Sequence, residues 1–266
     1  MDLAHSLATL TAGAIKRGYG IEQRNSTELL LQMDIVDADS RRTAYRLLVT
    51  CNRNRLVVRE DPTSRLLPVF CPDRHIIDDG NFCLYWDEDT SFDVVDESSA
   101  AVWLEILEKF LRLQQRANYL RRWPSQQVWA HGVLAARHQQ QAEAVAAKLD
   151  PQWPSLVLGR EMRAVLEPGS CIRVYVGEGQ LFSTWMSPNR FTADRKYRVF
   201  AREAASSTSC RLVSKRRAKL LRELAWNLLS WNSAETRYWK VQKDRECCGT
   251  MDTCQLRKRG CDANEV

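Results

Sequence analysis

The chain has 266 residues, 44% of them hydrophobic, and a net charge of +6 carried mostly by arginine. That length allows one large domain or two small ones, and the absence of an apolar run long enough to cross a bilayer excludes a spanning helix. A charge this modest and dispersed permits an acidic partner but argues weakly for nucleic acid.

The first twenty residues, MDLAHSLATLTAGAIKRGYG, lack the basic start, apolar middle and cleavage site of an export signal, so a cytoplasmic protein is expected. Leu3, Leu7, Leu10 and Ala14 instead share one face of an amphipathic helix that Gly18 and Gly20 end. Short apolar segments follow at 28–36, 43–51 and 55–60, bounded by polar turns. Their connections are too short for crossovers, so they read as an antiparallel meander. Residues 64–72, SRLLPVFCP, form a further extended piece whose prolines favour an edge or a loop. A strong helix then begins at Asp96 or Ser98, carries Trp103, Leu107, Phe110 and Leu111 on one face, and stops at Pro124. Ser125 can cap another helix over 126–149, ending before Pro151. Beyond the turn-rich DPQWPS at 150–155 come a hairpin over 171–186, turning at Gly177–Gly179, and an amphipathic helix over 214–231. The order predicts an α+β protein in three segments: a core over 1–124, a helical extension over 125–150 and a cysteine-rich region over 151–266.

Nine cysteines are an odd number, and without an export signal they argue against a disulfide framework. One of them stands out. In DRHIIDDGNFCLYWDED, residues 73–89, Cys83 follows a Gly-Asn-Phe turn, with His75 eight residues before it and acids on both sides. Arg74 and His75 could lower the pKa of such a thiol, while Asp78, Asp79 and Asp87 would raise it. A cysteine in an ordinary loop is most often a small buried hydrophobe.

The order of elements and the phrase DGNFCL resemble the ubiquitin-conjugating enzymes. In that family a helix and a four-stranded antiparallel meander lead into a loop ending Gly-x-Ile-Cys-Leu, and a helix follows. Gly80, Phe82, Cys83 and Leu84 match the phrase, with Phe in place of Ile. The resemblance makes Cys83 the expected nucleophile of thioester transfer. It covers about residues 1–122 and breaks at the family's His-Pro-Asn, whose positions here are Asp73, Arg74 and His75. His75 therefore stands where an asparagine would steady the oxyanion, a role an imidazole N–H can fill, or it can serve as a base. Asp87, with Glu88 and Asp89, can orient an incoming lysine and help take its proton, or can simply be a solvated acidic loop.

A narrower resemblance runs over most of the chain. FCPDRHIIDDGNFCLYW, RWPSQQVWAHG and the end CCGTMDTCQLR look like the bacterial ubiquitin-conjugating-like proteins of short-form cyclic-oligonucleotide-based antiphage signalling systems. It implies a thioester with the C-terminus of a cyclic-nucleotide-producing nucleotidyltransferase, and transfer to a lysine or another amine. No Gly-rich phosphate cradle of a common kind is present, so any ATP-driven activation would come from the partner, from another protein, or from the second half of the chain by a motif of a different kind.

Cys247, Cys248, Cys254 and Cys261 number enough for structural zinc, although no Cys-x-x-Cys knuckle is present. Cys210 could replace one of the adjacent pair. A docking tail, or a redox-sensitive pair near Cys83, are the other readings. His131 and His138, two helical turns apart on the expected helix, read as packing or surface residues. Three functions remain open: a transferase acting through Cys83, an inactive conjugating-fold scaffold that holds the nucleotidyltransferase, and a zinc-containing regulatory or nucleic-acid-binding protein.

Overall fold

The computed structural model describes residues 3–37, 39–52, 55–85, 93–125, 129–185, 200–201 and 214–257. Their contacts group the chain into two units. Residues 1–124 and 244–266 form the first, and residues 125–243 the second. The sequence-derived division assigned 244–266 to the third segment, whereas by contacts this stretch belongs with the N-terminal unit.

In the first unit, α1 (Leu3–Lys16) precedes a four-stranded antiparallel sheet of β1 (Gly20–Asn25), β2 (Glu28–Val36), β3 (Arg42–Asn52) and β4 (Arg55–Glu60), in that spatial order. Along β2, Leu29, Leu31, Met33 and Ile35 alternate into the core. Residues 64–72 form a loop with an isolated bridge at Cys71, one of the two forms their prolines favour, and the remaining strand of the sheet is β1. β1, GIEQRN, is mostly exposed and has no alternating pattern to read.

The long helix α2 (Glu97–Leu120) packs on α1 and faces the sheet with Trp103, Leu104, Leu107, Phe110 and Leu111. Asp96 starts it: its carboxylate accepts from Ser99 N–H at 2.8 Å, and Ser99 Oγ accepts from Asp96 N–H at 2.9 Å. That reciprocal pair is a capping box.

In the second unit, α3 (Val133–Leu149) packs on α5 (Lys215–Gln242), with α4 (Trp153–Leu158) between α3 and a second antiparallel sheet in sequence. That sheet runs β5 (Met162–Glu167), β6 (Cys171–Val176), β7 (Gly179–Trp185) and β8 (Phe200–Ala201). The expected hairpin is β6–β7, turning at Gly177. Two expectations change here. The helix predicted from 126 begins at Val133, because Gly132 at φ 89° cannot lie inside a helix. His131 therefore precedes the helix that carries His138. The helix expected over 214–231 runs on to Gln242.

Both units combine helices with an antiparallel sheet, the expected α+β class. Among the described residues no helix is long and apolar enough to cross a membrane.

Candidate functional site

The loop from Pro72 to Tyr85 is fixed at several points, and Cys83 sits near its end. A short 3-10 turn at Pro72–Arg74 closes with His75 in the left-handed region, at φ 56°. A second turn at Asp78–Gly80 ends with Asp79 at φ 61° and Gly80 at φ 76°. Glycine at position 80 meets that conformation without a side-chain clash. The chain then doubles back. Ile77 N–H donates to Asn81 O at 2.8 Å, and Cys83 N–H donates to His75 O at 2.8 Å. Phe82 N–H donates to Val58 O at 2.8 Å, which pins the loop to the edge strand β4.

Ile76 and Phe82 face each other in this small ladder and are both buried. Phe82 stacks on Phe110 of α2 at 4.8 Å between ring centroids. The flanking pair His75 and Cys83 is half-buried. Beyond Cys83, Tyr85 anchors the chain again: its hydroxyl accepts from Trp103 Nε1 at 3.2 Å and donates to Leu56 O at 3.4 Å. The Cys83 thiol lies 3.9 Å from Tyr85 O. The loop thus holds a partly accessible thiol on a braced backbone, the arrangement a cysteine nucleophile needs.

His75 is brought beside Cys83 through the backbone, while its ring meets Trp123 edge-on at 4.8 Å. Arg74 goes elsewhere than the sequence suggested. Its side chain is fully buried. Nε donates to Gln114 Oε1 at 2.7 Å, Nη2 to Gln114 O at 3.1 Å and Nη1 to Asn118 Oδ1 at 2.6 Å. Gln114 Nε2 returns a bond to Arg74 O at 2.6 Å. These bonds join the loop to α2, and burial lowers the guanidinium's pKa from its ordinary value. Asp78, expected to act on the thiol, makes an ion pair with Arg245 at 2.5 Å. Asp87, Glu88 and Asp89 lie outside the described residues.

The cysteine-rich tail is the element that sequence reasoning did not place. Arg245 lies over the Phe70 ring at 4.3 Å. Thr250 Oγ1 accepts from Arg74 Nη1 at 3.3 Å. Asp252 N–H donates to Arg121 O at 2.8 Å, and Arg121 Nη2 donates to Gly249 O at 2.9 Å. Met251, Cys254 and Leu256 are buried. Cys248 Sγ lies 3.0 Å from Cys71 Sγ and 3.1 Å from Thr250 Oγ1. Hydrogen bonding to Cys248, together with burial, pushes the Cys71 thiol far up. The bond from Cys71, aided by Thr250 and the Arg74 charge, holds Cys248 well below the usual thiol range despite its burial.

Zinc was expected on Cys247, Cys248, Cys254 and Cys261. Among the described residues no group of three or more His, Cys, Asp or Glu is arranged to hold a metal ion. Two thiolates on one tetrahedral zinc stand about 3.7 Å apart for Zn–S bonds of about 2.3 Å, and Cys248 is nearer than that to Cys71. Cys210 and Cys261 lie outside the described residues. In the second unit, His131 Nδ1 and Arg160 Nη2 both bond Glu235 Oε1, at 2.7 and 2.6 Å. Burial raises the pKa of Glu235, but those two partners outweigh it and hold it down at about 2. His138 Nδ1 meets Asn227 Oδ1 at 3.0 Å. Both histidines are internal packing partners.

No curated protein and no solved structure gives a significant match. Two family models do match. Residues 18–125 match a prokaryotic E2 domain, where E2 denotes the ubiquitin-conjugating fold. Residues 130–256 match a cysteine-rich domain that lies C-terminal to the E2 domain. Taken with the meander, the braced cysteine loop and the docked tail, these matches identify residues 18–125 as a prokaryotic E2-like domain and residues 130–256 as the cysteine-rich domain that follows it.

Proposed function

We propose that this protein is a ubiquitin-conjugating-like transferase with Cys83 as its nucleophile. The Cys83 thiolate attacks an activated acyl carbon at the C-terminus of a carried protein. The activating group leaves and a thioester forms. An acceptor amine, a protein lysine or another amine, then attacks the same carbon. The amine loses a proton and Cys83 leaves as thiolate. His75 contributes a ring N–H to the oxyanion or takes the amine's proton, and Asp87 orients the incoming amine. The carried group is the C-terminus of a cyclic-nucleotide-producing nucleotidyltransferase, as the resemblance implies, and its transfer primes antiphage signalling.

The observation that carries this reading is the half-buried Cys83 at the end of a loop pinned to β4 and α2. A second reading has its own support. His75 replaces the family's asparagine and its ring is engaged by Trp123, which suits a conjugating-fold scaffold that binds the nucleotidyltransferase without transfer.

Co-expression with the genomic neighbours, followed by reducing and non-reducing gels and mass spectrometry, separates the two. The transferase yields a thiol-labile adduct on Cys83. The adduct disappears in Cys83→Ala and becomes a thiol-resistant ester in Cys83→Ser. An unchanged complex in all three proteins, with no adduct, would leave the scaffold.

A further inference from the structure

The first unit contains a pair of thiols that the transfer chemistry does not use. Cys71 is almost fully buried, at 1% exposure, and Cys248 is half-buried. Their sulfurs are 3.0 Å apart, across 177 residues of sequence. Ordinary sulfur–sulfur packing distance is about 3.6 Å, while a disulfide needs about 2.05 Å. The pair is therefore inside ordinary packing distance, and an approach of about 1 Å closes the bond.

We propose that Cys71 and Cys248 form a peroxide-oxidisable dithiol whose disulfide bolts the tail to the loop that carries Cys83. Cys248 is the residue reached from solvent, and three features favour its thiolate: the Cys71 thiol, the Thr250 hydroxyl and the nearby Arg74 guanidinium. In the first step this thiolate attacks one oxygen of hydrogen peroxide. The O–O bond breaks, an S–O bond forms, and hydroxide leaves to become water on taking a proton. In the second step the Cys71 sulfur gives up its proton and attacks the Cys248 sulfur. The S–O bond breaks, a second water leaves with that proton, and the S–S bond forms. Two thiols are oxidised and one peroxide becomes two waters. A dithiol reductant reverses the change.

The position of Cys71 gives the bond a consequence. Cys71 pairs with Ile76 through hydrogen bonds in both directions, at 2.9 and 3.1 Å. Ile76 pairs with Phe82, the residue before Cys83. A bond at Cys71 therefore fixes the floor of the Cys83 loop without involving the Cys83 thiol. Cys247 and Cys254 also interact with each other, so the competing linkage is defined.

The test uses the purified full-length chain, titrated with hydrogen peroxide, alkylated and mapped as non-reduced peptides. The expected product is a Cys71–Cys248 linked peptide as the dominant pair, lost on dithiothreitol treatment. It should form equally in Cys83→Ala. In Cys71→Ser, dimedone should trap a sulfenic acid on Cys248, and Cys248→Ser should give neither product. If Cys71→Ser fails to fold, hydrogen exchange on the wild type decides: oxidation should slow exchange over 71–83 and 247–252 together. A dominant Cys247–Cys254 link, oxidation confined to Cys83, or retained zinc with no link would each overturn the proposal. The readout needs no acyl group and no partner, so its failure is separate from failure of the transferase reading.

Discussion

Arg74 is a fully buried charged side chain in the loop that carries Cys83. A fully buried guanidinium is tolerated only when its donors are satisfied, and here Gln114, Asn118 and Thr250 satisfy them. None of these partners is a carboxylate, so the charge is balanced by dipoles and by the thiol pair rather than by an ion pair. Replacing Arg74 with methionine keeps much of the volume but leaves Gln114 and Asn118 without their donor. Each stranded buried group costs about 1–3 kcal/mol, so Arg74→Met is expected to lower stability by about 3 kcal/mol in urea unfolding. A loss below about 1 kcal/mol would show that water or rearranged side chains replace the network. The surface ion pair of Arg121 with Asp252 sets the contrast, since exposed pairs contribute only about 0–1 kcal/mol. The loop around Cys83 could be singled out in the sequence because its signal is local, a Gly-Asn-Phe-Cys-Leu phrase after a meander. The role of Arg74 was not, because Gln114 lies forty residues away and no short spacing links them.

Among the elements, α3 carries a conflict between sequence and burial. It packs on α5 and α4 and buries Ala135, Ala142, Val145 and Ala146. Glu143 on the same helix has a buried Oε1 without a hydrogen-bond partner among the described residues. Burial pushes its pKa from the ordinary 4.5 up to about 7. The folded value lies above the unfolded one, so the fold resists ionisation. Stability is unaffected below about pH 4.5, falls as the pH rises toward 7, and carries the full penalty above that. Glu143→Gln removes the charge. It is expected to stabilise the protein by about 1–3 kcal/mol at pH 8 and by almost nothing at pH 4. Thermal or urea unfolding at the two pH values checks it, and an equal effect at both would mean that the carboxylate is solvated. Helical periodicity predicted α2 and the body of α3 because their apolar faces repeat every turn. It failed at β1, whose polar, exposed residues carry no alternation, and before Val133, where one glycine conformation decides the boundary.

At the scale of the whole chain, the segment after Lys243 belongs to the N-terminal unit, and this changes what the tail is for. Its cysteines allow several readings in sequence: zinc ligands, a docking tail or redox-sensitive thiols. In the fold the tail instead lies along the loop that leads to Cys83, through Arg245 on Asp78 and Phe70, Cys248 on Cys71 and Thr250 on Arg74. The partners lie far apart in sequence, so composition alone could not pair them. The contacts differ in weight. The Arg245 ion pair is roughly half exposed and contributes little. Burial of Met251 and Leu256 contributes more, about 1.5–3 kcal/mol each before the cost of ordering the chain. Ending the chain after Lys243 is therefore expected to cost the first unit about 3 kcal/mol. It should also speed hydrogen exchange over residues 71–83, because Arg74 loses Thr250 and Cys71 loses the sulfur against it. The brace is separate from the chemistry, so thioester formation at Cys83 should persist in the shortened chain under conditions where the first unit stays folded. Unchanged exchange over 71–83 would mean that α2 and β4 hold the loop by themselves through Gln114, Phe110 and Val58. The tail would then be a passenger on a site already complete.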